Sequence, residues 1–417
     1  MGRFPVRSAI LAGLGLIILL AGGLWLFATL ANAGESPTLV FGATLSITGP
    51  TAKEGEYSRD GYNFYIDTLN SQGGLKIGDK KYRLKLQYYD DQGNPELTTR
   101  LYQKLITEDK VNFLLGPYGS TTSTAAAAVA EKYHLPILIA HGSAESVFPP
   151  DGRYTFGIVS PAKNYLRGII ALVLARDPGV RSLALLGSDE PFSYEVVAGT
   201  TEYARSQKLE VVYNGYYSLN AIDVSKPLLE IKAKNPDIIL VVGRLQDSLL
   251  VVRQAHSLEL TPRALGFTIG PSTPEFRATL KADADYIFGA TQWTSALKYK
   301  GSDQWETPRA FADAFKARYP GYDDVPYHVA ESTAALVALQ RALEKAGSTN
   351  PEAVRDTLEN LDISTFYGRI KFDERGMNIY KPMAVEQLQP DGKRYTVFPF
   401  DVSEKDILYP MPPWNKR

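Results

Sequence analysis

Val111–Ser146 reads VNFLLGPYGSTTSTAAAAVAEKYHLPILIAHGSAES, and the order of residue types in it decides the fold class. Val111 to Leu115 is a short apolar run followed at once by Gly116-Pro117-Tyr118-Gly119, which predicts a buried strand ending in a loop. Five hydroxyl residues, Ser120 to Thr124, then open an Ala-rich helix within 121–133, and Leu135 leads into a second apolar run, Pro136 to Ala140. Strand, loop, helix and strand in that order make a βαβ unit, which implies a parallel sheet covered on both faces.

The same rhythm extends upstream. A strand at Leu39 to Ala43 precedes a helix at 55–70, where Tyr57, Gly61, Tyr65 and Leu69 share one face and Gly73-Gly74 stops the chain. After a strand from Tyr82 to Tyr89, Asn94 is placed to cap a helix at 95–108 whose first position is Pro95. Asp90-Asp91 between them lacks the ligand spacing of a calcium loop and reads as a solvated turn. Past Pro161 the alternation restarts, with helices at 161–176, 193–207, 224–234 and 246–258 and strands at 182–186, 209–213 and 238–242. Helical patterns at 305–318 and 327–346, the latter ending at Gly347, lead to β-rich pieces at 368–373, 382–388 and 394–399.

A chain of 417 residues with 44% hydrophobic content suits two domains better than one core. With 45 basic and 46 acidic residues its formal charge is -1, which gives no electrostatic reason to expect nucleic acid as a partner. The absence of cysteine excludes disulfides, thiolate metal sites and thiol nucleophiles. Arg3 and Arg7 precede an apolar run from about Ser8 to Ala31, and Ala31-Asn32-Ala33 suits signal-peptidase cleavage. Residues 1–33 are therefore read as an export signal, or as a membrane anchor if left uncleaved, with the remainder outside the cytoplasmic membrane.

Catalytic grammar is missing: there is no G-x-S-x-G elbow, H-E-x-x-H pair or Walker loop. The four histidines, at 134, 141, 256 and 328, show no metal-ligand spacing, so the reading calls for no metal and no cofactor. Binding chemistry is better represented. A helix start carries unsatisfied N–H groups, and hydroxyls at Ser120 and Thr121 add neutral donors suited to a carboxylate, although ordinary capping uses only one. The loop His141-Gly142-Ser143-Ala144-Glu145-Ser146 follows the next strand and reaches the same sheet edge, where open α/β sheets bind ligands. Taken alone, His141 has the pattern of a surface or capping histidine.

Ser46-Ile47-Thr48-Gly49-Pro50, Gly61, Asn70 to Gly74, Tyr89-Asp90-Asp91 with Pro95, the Gly116 loop, Leu135-Pro136 and Phe372-Asp373-Glu374-Arg375-Gly376 occur in order along nearly the whole mature chain. In these the sequence resembles the type I periplasmic binding proteins of the leucine/isoleucine/valine family, which deliver solutes to ABC importers. The resemblance implies an α/β fold of two Rossmann-like lobes with mostly parallel sheets, joined by three crossovers near 159–161, 292–293 and 377–381. One lobe would combine 38–159 with 293–378, the other 160–292 with 379–417. It also implies a ligand carboxylate held by Ser120 and Ser143 with the backbone at His141. The family's pocket aromatic is replaced by Glu54, a second-lobe tyrosine aligns with Phe192 and another falls near Arg244. The acidic residue that meets an amino group aligns with Thr268 or Ser272. Glu54 either points to solvent at the cleft mouth or meets a polar group on the ligand. The expected function is capture of an amino acid or related carboxylate or amide by a monomer that hands it to an ABC permease, without catalysis. A sensor reporting to a membrane partner and a hydrolase on the same kind of fold are the alternatives.

Overall fold

A computed structural model of the chain describes residues 36–417, and the export segment read at 1–33 lies outside the described residues. The first sheet contains β1 (Thr38–Leu45), β2 (Leu75–Ile77), β3 (Lys80–Asp90), β4 (Phe113–Leu115), β5 (Ile137–Ile139) and β6 (Thr155–Gly157). Its six strands run in the order β2-β3-β1-β4-β5-β6, parallel throughout except for the β2–β3 hairpin. Three helices connect them: α1 (Ala52–Ser71), α2 (Pro95–Thr107) and α3 (Ser120–Tyr133). Asn94 caps α2 as its chemistry predicts, its side-chain oxygen accepting from the Leu97 amide at 2.8 Å.

The second unit starts with α4 (Arg167–Arg176), β7 (Ser182–Ser188), α5 (Pro191–Ser206), β8 (Glu210–Tyr217) and α6 (Ser225–Lys234). It continues through β9 (Ile238–Val242), α7 (Leu245–Ser257), β10 (Ala264–Phe267), α8 (Pro274–Leu280) and β11 (Phe288–Thr291). Next come α9 (Pro308–Arg318), α10 (Tyr327–Ala346), α11 (Pro351–Glu359) and the hairpin β12 (Asp362–Thr365) with β13 (Gly368–Lys371). Finally β14 (Ala384–Leu388) and β15 (Arg394–Phe398) return to the second sheet, whose seven strands run β15-β14-β11-β10-β9-β7-β8. β14 pairs antiparallel with both β11 and β15, and the other neighbours are parallel. The fold is mixed α/β with two mostly parallel sheets.

The chain between the two visits to the second sheet packs elsewhere. Trp293, Trp305, Phe311, Phe315 and Phe366 are buried in the same apolar core as β1 and α1, and α10 lies along α1. Gly61 makes that approach possible, since a β-carbon there would fall 2.6 Å from the Val329 carbonyl oxygen. Three connecting segments are stitched where the chain passes between the sheets. The Gln292 side chain accepts from the Ser160 amide at 3.0 Å. Lys381 donates to the Gln292 carbonyl at 2.6 Å, and Asn378 donates to the Ile158 carbonyl at 3.1 Å.

Three local expectations need correction. The pattern at 161–176 splits into a short 3-10 turn, Ala162–Asn164, and α4. The helix read from 305 begins at Pro308 because Thr307 caps it, accepting from the Ala310 amide. Asp91 is not in a solvated turn: it is fully buried and accepts from Thr44 at 2.6 Å and Ser46 at 2.7 Å. Hydroxyls at the end of β1 turn that carboxylate inward. Among the described residues no helix is long and apolar enough to cross a membrane.

Candidate ligand-binding cleft

Loops at the carboxyl ends of both parallel sheets face each other across a narrow cavity. One wall carries Tyr118, Gly119 and Ser120 from the loop after β4, His141 and Ser143 from the loop after β5, and Tyr327, His328 and Glu331 from α10. The opposite wall carries Tyr165, Phe192, Arg244 and Ile269. The gap between these two walls leaves room for about one water, so the walls nearly touch here.

Contacts across the gap hold this arrangement. Tyr57 donates to the Glu275 carboxylate, and Lys53 pairs with Glu275 at 3.3 Å. The Glu145 amide donates to Glu195 at 2.6 Å, and Lys163 pairs with Glu145 at 2.8 Å. Arg394 pairs with Asp324. Most of these groups remain partly exposed, so each contact contributes little alone.

The start of α3 has a polarity that suits an anion. It begins on Gly119 with φ 90° and no side-chain cap, leaving the first amides without an intrahelical acceptor. Ser120 is buried, its hydroxyl oxygen accepting from the Ala144 amide at 3.2 Å. From the opposite lobe the Arg244 guanidinium comes so close that a β-carbon on Gly119 would lie 3.3 Å from Nη2. Burial alone would lower the pKa of Arg244, but Glu190 at 2.5 Å, with Glu54 and Asp247 nearby, outweighs it and holds the charge.

Of the residues singled out from sequence, Ser120, His141, Ser143, Phe192 and Arg244 line the cavity. Thr121 is half-buried beside them without lining it. Glu54 is not at a wet cleft mouth: it is 2% exposed, because α1 begins at Ala52 and takes Glu54 into its first turn. Burial raises its pKa, against the lowering influence of Arg244 and the Leu245 amide at the start of α7. Thr268 and Ser272 lie away from the cavity lining. Thr268 is tied to the Gly243 backbone by bonds of 2.9 and 3.1 Å, and Ser272 donates to the Ala290 carbonyl at 3.0 Å.

His141 is neither a surface nor a capping histidine. Its Nδ1 lies 2.8 Å from Glu331, and its Nε2 lies 2.9 Å from both Ser58 and Ser332. The spacing of these residues in sequence conceals a Ser–His–Glu constellation, but its chemistry is structural. Burial pushes His141 down to about 3, too weak a base to take a hydroxyl proton at neutral pH. Ser58 is fully buried and donates to the Glu54 carbonyl at 2.9 Å. Glu331, raised by burial, is opposed by Lys381, which burial lowers to about 7. Among the described residues no cluster of three or more potential ligands is arranged to hold a metal.

Sequence reasoning missed Tyr118, Tyr165, Tyr327, His328 and Glu331. Tyr118 sits inside the Gly-rich loop already singled out, and His328 with Glu331 forms an i, i+3 pair on a helix rich in Ala and Leu.

A sequence model described as periplasmic binding protein matches residues 38–393. Leu/Ile/Val-binding protein homolog 8 of Brucella abortus (strain 2308) is 27% identical over 381 residues, covering 86% of this chain and 90% of the relative. The branched-chain amino acid transporter substrate binding protein of Streptococcus pneumoniae, solved with isoleucine, superposes with a TM-score of 0.73 at 20% identity, covering 89% of this chain and 100% of that one. An ABC transporter solute binding protein from R. palustris, solved with benzoate, gives a TM-score of 0.74 at 19% identity, covering 90% of this chain and 97% of that one.

Proposed function

This chain belongs to the periplasmic binding protein family, whose members are binding proteins of transporters rather than enzymes, and from that premise we propose that it captures a small organic carboxylate for an ABC importer. The single observation that carries the reading is the uncapped start of α3 facing Arg244 across the interlobe cavity. The helix amides, Ser120 and Ser143 offer neutral donors on one lobe, and Arg244 closes from the other with a fixed positive charge. An amino acid or related acid would dock on the first lobe while the cleft is open. Closure would then bury the rest of its surface, with 159–161, 292–293 and 377–381 absorbing the backbone change.

The carboxylate site is tested by titration calorimetry with a panel of amino acids and small organic acids. For the acid that binds, Ser120→Ala and Ser143→Ala should each weaken binding by about 1–3 kcal/mol, because a buried acceptor loses a donor while its desolvation cost remains. Unchanged affinity in both variants would remove the site.

A further inference from the structure

The cavity walls narrow the class of acid, an inference that rests on the proposed carboxylate site. Tyr118 and Tyr327 on one side and Tyr165 and Phe192 on the other are all buried aromatics at the cavity. Tyr165 and Phe192 meet edge to face with centroids 5.1 Å apart. In a gap this narrow a flat ring needs the least parting of the walls, and it presents its faces and edges to aromatic partners.

The groups that would receive an ammonium are already engaged. Glu190 holds Arg244, Glu331 is bonded to His141, and Glu54 faces Arg244 and the start of α7. An α-amino group entering here would be buried without a free counter-charge, which is costly.

His328 is the polar group left over. It is 0% exposed, lines the cavity, and neither ring nitrogen has a hydrogen-bond partner. Its ring stacks on Tyr327 at 4.0 Å, with Tyr118 at 5.5 Å, Tyr57 at 5.7 Å and His141 at 6.0 Å. Burial, and then His141, hold its pKa well below the usual histidine range. A neutral imidazole presents one N–H and one lone pair, and buried polar groups in proteins are almost always paired. A hydroxyl supplies either partner.

We propose that the solute is an aromatic acid bearing a ring hydroxyl, with its carboxylate at Ser120, Ser143 and Arg244 and its hydroxyl on His328, which sets the specificity. Calorimetry of the full chain with benzoate, 3-hydroxybenzoate, 4-hydroxybenzoate, isoleucine and phenylalanine tests this. A hydroxybenzoate should bind at least about 10-fold more tightly than benzoate. His328→Phe, which keeps a flat ring, should bring the ratio of hydroxybenzoate to benzoate affinity down to about 1, and His328→Gln should restore part of it. If His328→Phe weakens benzoate and the hydroxybenzoates equally, or leaves the preference intact, His328 has no specificity role. Tighter binding of isoleucine than of every aromatic acid overturns the ring-acid inference and leaves the carboxylate site standing. Failure of every carboxylate tested to bind overturns both.

Discussion

Gly61→Ala sets two physical effects against each other with opposite signs. Alanine is a better helix former than glycine by about 1 kcal/mol, so propensity alone makes the variant more stable. The added methyl group, however, would lie 2.6 Å from the Val329 carbonyl oxygen and 2.7 Å from the Ser332 β-carbon, where ordinary contact begins near 3.4 Å. The closest obstacle is helix backbone, which has no rotamer to give, so α1 and α10 must separate by several tenths of an ångström. Overpacking of this kind costs about 1–3 kcal/mol, and a rigid obstacle favours the upper half of that range. The expected result is a net loss of about 1–2 kcal/mol, read as a lower urea midpoint with unchanged slope. The separation also reaches the cleft, because α1 carries Ser58 and α10 carries Glu331 and Ser332, the partners of His141. Ligand affinity should therefore fall with stability. A variant more stable than the parent would refute the account of how α1 and α10 pack.

Glu386 is pushed up to about 7 from 4.5 by burial, against Arg394. A raised folded pKa means stability that is fully present below 4.5 and lost as pH rises through about 7; wild type should thus lose about 3 kcal/mol relative to Glu386→Gln between pH 4.5 and 7.5, and parallel denaturation midpoints would exclude this. Glu54→Gln removes a carboxylate that faces Arg244 and the start of α7 across the cleft, so all ligands should weaken by a similar factor, worth up to about 2 kcal/mol. A changed ranking among ligands in calorimetry would show instead that Glu54 touches the solute.

The parts of the fold legible in sequence are those whose signals are local. In Val111–Ser146 the apolar run, the glycine loop and the hydroxyl-rich helix start are contiguous, so β4, α3 and β5 are readable without tertiary information. Asn94-Pro95 announces α2, yet the same Asn-Pro start at Asn350-Pro351 and the proline at the start of α8 go unread, because α11 and α8 are only nine and seven residues long, too short to stand out as helical runs. The site divides in the same way. Ser120 and Ser143 lie in one βα pair of loops, whereas His141 and Glu331 meet across 190 residues of sequence. Glu54 and Asp91 show a second limit: Asp91, read in a solvated turn, and Glu54, left open between solvent and ligand, are both buried, with Thr44 and Arg244 from other elements opposite them.

Capture of a small organic acid by closure of two lobes is tested most directly by small-angle scattering of the protein without ligand and with the acid that calorimetry selects. The account predicts a smaller radius of gyration with the acid bound, as the two sheets rotate together about the three stitched segments. Superimposable curves at saturating ligand would contradict it.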